Sequence, residues 1–309
     1  MTALTLSTSS AASLRADAVV IGVAKGEQGP VLAPGAEEID NASGGRFAAT
    51  LEALGASGAE GEVTKVPAPE GVKAPMVLAV GLGDVPADGT DYSLDALRSA
   101  AGAAARALAG VKKGAFALPI AGADAAEAIA QGALLGSYAF TVYRSDSNGS
   151  GGNNGSKKPL AEVALVGAKP REKAYKDAAE RATVLTEAVN RARDLVNTPS
   201  NDLNPKAFAE IVAEEGKEAG LKVQVLDEKA LAKGGYGGIL GVGRGSANPP
   251  RLVRIDYTHP KAKTTLAFVG KGITYDSGGI SLKPSGHNET MKCDMAGAAA
   301  VYAAVTAVA

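Results

Sequence analysis

Phe268-Val-Gly-Lys-Gly-Ile-Thr-Tyr-Asp-Ser-Gly-Gly-Ile-Ser-Leu-Lys283 sets two lysines and an aspartate into glycine-rich turns directly behind an apolar run. Thr264 to Val269 reads as a short buried strand. In α/β proteins, ligand sites gather at the carboxyl ends of such strands, where loops carry side chains without disturbing the core. Met291-Lys-Cys-Asp-Met-Ala-Gly297 follows and adds a second aspartate. The pattern predicts that Lys271, Asp276, Lys283 and Asp294 converge on one metal site in an α/β fold.

Composition narrows the partners. A chain of 309 residues with 46% hydrophobic content can bury a core and is long enough for two domains. Lysine and arginine number 32 against 33 acidic residues, and the formal net charge of -1 gives no footprint for nucleic acid or an anionic membrane. The single cysteine, Cys293, excludes an internal disulfide framework and agrees with a reducing compartment, so a cytoplasmic location is expected. The first residues lack a cationic n-region and meet Arg15 and Asp17 before any sustained apolar block, and no run of 18 apolar residues follows. A soluble chain without membrane partners is expected.

Alternating short apolar runs and alanine-rich helical patterns predict an α/β layer in the first half. Strands are expected at Asp17 to Val23, Met76 to Val80 and Ala115 to Ile120, and helices at Leu94 to Ala109 and Asp124 to Phe140. Ser145 to Lys157 is low in complexity and reads as a mobile surface insertion. Leu160 to Val166 resumes a strand, and Glu172 to Leu195 has the length and charge spacing of a connecting helix. A second α/β unit then holds a helix through Ala219 and strands at Lys222 to Leu226, Arg251 to Tyr257 and Thr264 to Val269. The expected domains are 1–168, a connecting helix over 169–197, and 198–309. The last helical pattern, Ala296 to Ala309, has no glycine cap or cationic last turn and reads as cut off mid-element.

Each candidate also has a plain structural reading. Lys271 fits a solvated strand end, and Lys283 before Pro284 fits a surface position. Asp276 fits a turn-former in Asp-Ser-Gly-Gly, and Asp294 fits the N-cap of the helix from Ala296. The joint reading gains from four such residues within positions 271 to 294, among small residues that let a backbone approach a ligand. His259 and His287 lack the paired spacing of a helical zinc site and read as surface. Cys293 reads as a small apolar side chain, and Gly241-Val-Gly-Arg-Gly245 lacks the spacing of a nucleotide loop.

At these residues the sequence resembles the leucyl aminopeptidase family, also called the cytosol aminopeptidases. Val269 to Pro284 and Met291 to Ala299 carry the resemblance. Arg193-Asp-Leu-Val-Asn-Thr-Pro199, Leu240-Gly-Val-Gly-Arg-Gly-Ser-Ala-Asn-Pro-Pro-Arg251 and Leu134-Leu-Gly-Ser-Tyr138 extend it. It implies a smaller N-terminal α/β domain joined by a long helix to a metallopeptidase domain with a central mixed sheet. It further implies two divalent ions, manganese or zinc, with Lys271, Asp276 and Asp294 as ligands and Asp276 touching both. Lys283 would be the catalytic lysine, and Met291 would line the pocket for the substrate's first side chain. A lysine amine ligates only after losing its proton, so the ions must be strongly polarising.

The implied activity is hydrolysis of the peptide bond after a free N-terminal residue, by a homo-hexamer. The family's Asn-Thr-Asp-Ala-Glu-Gly-Arg motif, with further ligands and an arginine, is absent before Ala309. From that absence the 309-residue chain is expected neither to hold two ions tightly nor to turn over peptides alone. Competing readings are a non-catalytic protein binding DNA through its first domain, against which the charge balance argues, and a truncated structural subunit.

Overall fold

The computed structural model describes residues 2–87, 90–144 and 157–309. The expected mobile insertion falls almost wholly outside them. By packing, the chain divides into Met1–Thr186 and Glu187–Ala309.

The first unit is built on β1 (Ala3–Ser7), β2 (Ala18–Gly26), β3 (Gly29–Leu32), α1 (Glu37–Ala42), α2 (Phe47–Ala53), β4 (Val63–Pro67), β5 (Met76–Asp84), α3 (Leu94–Ala107), β6 (Lys113–Ala117), α4 (Ala123–Gly136) and β7 (Glu162–Val166). One sheet runs in the order β1-β7-β6-β2-β5-β4, with β3 beside the end of β2. All pairs are parallel except β4 on β5 and β3 on β2. A mixed sheet covered on both faces needs strands apolar on both faces, and Val19, Val20 and Ile21 of β2 are all fully buried.

One face packs Val20, Leu78 and Phe116 against alanines of α3 and α4. The other packs Val19, Ile21 and Val77 against Ile39, Phe47 and Leu51. Ser93 starts α3 because its Oγ accepts from the Ala96 amide.

Helix α5 (Lys173–Asn197) is a single 25-residue helix, and the division between the units falls within it, after Thr186. Its first half belongs to the first unit, where Arg181 Nε and Nη2 both donate to Glu127 Oε2 of α4.

The second unit continues with α6 (Pro205–Glu218), β8 (Lys222–Leu226), α7 (Glu228–Lys233), α8 (Gly237–Gly243) and β9 (Leu252–Asp256). A 3₁₀ turn (Glu289–Cys293) and α9 (Ala296–Val308) complete it. Its sheet is the antiparallel pair β8–β9. Asn204 caps α6 through Oδ1 to the Ala207 amide, with Pro205 in the first turn. Phe208 and Val212 of α6 pack with Leu195, Leu203, Met295, Ala299 and Tyr302. Arg191 forms a bidentate pair with Glu215, whose Oε2 also accepts from Tyr302 Oη at 2.5 Å. Burial pushes the Tyr302 hydroxyl above its ordinary value.

Two expectations fail here. Thr264–Val269 forms no strand: residues 264–269 are irregular, and Leu266, Phe268 and Val269 are 76%, 65% and 95% exposed. A strand persists only when a neighbour takes its backbone groups, and among the described residues none pairs with this run. Nor does Asp294 cap the last helix, because Met295 takes the N-cap position and no side chain caps it.

Glu289–Val308 is long and apolar enough, by length and composition, to cross a membrane. It is however broken into a 3₁₀ turn and a 13-residue helix. Thirteen residues rise only about 20 Å, short of a hydrocarbon layer of about 30 Å. Ala299, Tyr302 and Ala303 are buried in the core of the second unit.

Candidate metal centre

Two lysine–aspartate pairs form the site. Lys283 Nζ lies 2.7 Å from Asp276 Oδ2 and donates to the Asp276 carbonyl oxygen at 3.0 Å. Lys271 Nζ lies 3.1 Å from Asp294 Oδ2.

The Asp276 carboxyl is held below the usual carboxylate range. The hydrogen bond from Lys283 is the largest cause that lowers it, the Gly278 amide donating to Oδ1 at 2.9 Å is the next, and Lys271 adds a weaker pull. The structure thus pairs Lys283 with Asp276 and Lys271 with Asp294, and Lys271 reaches Asp276 only as a weak electrostatic pull.

The turn-forming reading of Asp276 is also realised, since its Oδ1 closes a turn on Gly278. Lys271 is exposed, as a solvated loop residue would be, while Lys283 is half-buried. Met291 is half-buried in the 3₁₀ turn. His259 and His287 are exposed, and Cys293 is half-buried.

Local backbone geometry explains why Lys271 meets Asp294. Gly270 passes so close to the start of α9 that an added Cβ would sit 2.5 Å from the Gly297 carbonyl oxygen and 2.6 Å from Ala298 Cα. The Ala298 amide donates to Lys271 O at 2.8 Å across this crossing. Tyr275 Oη donates to Asn288 Oδ1 at 2.5 Å, tying the glycine-rich loop to the turn before Glu289. Sequence reading missed this crossing and latch. The glycines at 270 and 297 were the available signal, but which backbone each admits depends on packing.

Asp294 Oδ2 is buried and has no hydrogen bond: the ammonium of Lys271 is at ion-pair distance, but its direction does not make one. Such an oxygen costs about 1–3 kcal/mol or more if left unsatisfied. It is an acceptor site that a cation would fill. The donors at hand, one amine and two carboxylates, suit manganese or zinc chemically. Among the described residues no group of three or more His, Cys, Asp or Glu side chains is placed to hold a metal. The fit therefore rests on lysine completing the donor set.

A separate open cleft of about 460 Å³ is lined by Glu228, Leu240, Arg244, Pro250 and neighbouring glycines. None of the five predicted residues lines it. Glu228 in its lining is paired with Arg251 at 2.7 Å.

An α/β chain with a mixed sheet and a lysine–aspartate cluster in glycine-rich loops fits the metallopeptidase class that the sequence motifs imply. Residues 20–147 match the N-terminal domain of the cytosol aminopeptidase family and residues 190–309 match its catalytic domain, and the chain belongs to that family. A "probable cytosol aminopeptidase" of Streptomyces griseus is 66% identical over 311 residues, which is 99% of this chain and 60% of the relative. One from Streptomyces coelicolor is 66% identical over 317 residues, 100% of this chain and 61% of the relative.

Among solved structures, the bottromycin maturation enzyme BotP in complex with Mn is 36% identical with a TM-score of 0.74. The match covers 95% of this chain and 56% of that one. A tomato leucine aminopeptidase mutant is 26% identical with a TM-score of 0.80, covering 100% and 59%. The chain spans about 60% of the length of the curated relatives it matches.

Proposed function

We propose that this chain carries the first part of a metal-dependent aminopeptidase that removes the N-terminal residue from peptides. The observation that supports it most is the pairing of Lys271 with Asp294 and of Lys283 with Asp276 in a chain whose family's relatives are named aminopeptidases. Lys271 Nζ and the carboxylates of Asp276 and Asp294 would hold two divalent ions, manganese or zinc. Bound there, such ions polarise a scissile carbonyl and lower the pKa of water.

The chain's own residues supply the rest. Lys283, as an ammonium oriented by the Asp276 carbonyl and carboxylate, donates to the oxygen of the substrate carbonyl as negative charge builds there. Asp276 thereby has two tasks, since its Oδ1 fixes the loop through Gly278 while Oδ2 faces Lys283. Met291 lines the place of the substrate's first side chain. Lys271 would serve as a ligand only as its neutral amine, and Asp294 Oδ2, without a hydrogen bond, would offer a carboxylate oxygen to a cation.

The relatives' name and the single cysteine support a cytosolic location, and the family supports assembly into a hexamer. DNA binding is not favoured, because the charge balance is neutral. The test is release of p-nitroaniline from leucine p-nitroanilide with added Mn²⁺. The assay uses this chain joined to the remaining segment of the Streptomyces griseus relative. Mn²⁺-dependent release supports the reading, and none with either Mn²⁺ or Zn²⁺ removes it.

A further inference from the structure

We infer that Lys292 is a positioning residue: its ammonium holds the turn bearing Met291 and Asp294 against the carboxyl end of α5. Its functional consequence rests on the proposed peptidase reading; the contact itself does not. Lys292 Nζ donates to the carbonyl oxygen of Asn197 at 2.5 Å, across 95 positions of sequence. Asn197 is the last residue of a 25-residue helix, where carbonyls lack intrahelical partners and the helix dipole is negative. α5 has no basic residue in its own last turn, so Lys292 supplies a cation there that the helix lacks.

Asp294 needs such an anchor. It does not cap α9, and its buried Oδ2 has the Lys271 ion pair at 3.1 Å but no hydrogen bond. Its amide donates to Met291 O at a long 3.3 Å, and the Met291 amide donates to Asn288 O at 3.0 Å. These are local links within the turn. Lys292 instead ties the turn to a distant element, and Met295 beyond it is 1% exposed in the core. Fixing the residues on both sides of Asp294 sets the carboxylate where Lys271 reaches it.

Cys293 gives a direct readout, since it is the chain's one cysteine and lies between Lys292 and Asp294. Labelling by excess dithionitrobenzoate is compared in wild type, Lys292→Met and Lys292→Arg. Amide exchange at Phe208 and Val212 of α6 serves as the control for general loosening. The expected result is labelling about tenfold faster in Lys292→Met, within about twofold of wild type in Lys292→Arg, and unchanged α6 protection. Acceleration with unchanged α6 protection reports opening of the turn and not general loosening. Unchanged labelling in Lys292→Met overturns the inference. So does acceleration that Lys292→Arg fails to correct, or an equal loss of protection in α6. None of these readouts uses metal or turnover, so they stand or fall apart from the peptidase reading.

Discussion

Asp276 is the residue whose environment is most legible. Its carboxyl is depressed chiefly by Lys283, so its contribution to stability is complete above the unfolded carboxylate value of about 3.9. That contribution is lost as pH falls through the lower folded value. Urea denaturation of wild type and Asp276→Asn should therefore differ at pH 7 and converge toward pH 3; an equal difference at both would count against the Lys283 pairing. Gly270→Ala places a Cβ against the Gly297 carbonyl and Ala298 backbone, and should cost about 1–3 kcal/mol by denaturant titration. Gly272→Ala, whose Cβ meets only Ala298 Cβ at 3.3 Å, should cost less; the reverse order would refute the close crossing. Lys271, Asp276, Lys283 and Asp294 stand out in the sequence by type and spacing, and the structure adds the pairings Lys283 with Asp276 and Lys271 with Asp294. The buried, unbonded Oδ2 of Asp294 could not, since it depends on how the loop at Gly270 lies on α9.

At the scale of elements, periodicity and caps carried most of the information. The strand Lys222–Leu226 and the helix ending near Glu218 agree with expectation, and α5 agrees to within two residues at each end. Short elements such as β1, β3, α1 and α2 are not legible in the sequence, because four to seven residues give too little pattern to exceed local noise. Thr264–Val269 shows the opposite failure: its side chains have strand character, but pairing is a property of neighbours and not of the run itself. Asn204→Ala removes the Oδ1 acceptor at the start of α6 and should lower stability by about 1 kcal/mol in chemical denaturation. No loss would mean the cap is supplied otherwise.

Across the whole molecule, two units each have their own core, and the site residues all lie in the second. The α/β class and the two-domain organisation were visible in alternating strand and helix patterns. The sheet order was not, because it is set by which strands find each other. The chain belongs to the cytosol aminopeptidase family, and for the proposed peptidase chemistry Lys283, paired with Asp276, is the sharpest probe. The decisive measurement is kcat for Mn²⁺-dependent hydrolysis of leucine p-nitroanilide by the chain joined to the remaining Streptomyces griseus segment, with and without Lys283→Ala. The account predicts activity in the parent and a loss of about 10²–10³-fold in kcat in the variant. An active parent whose kcat is untouched by Lys283→Ala would contradict it.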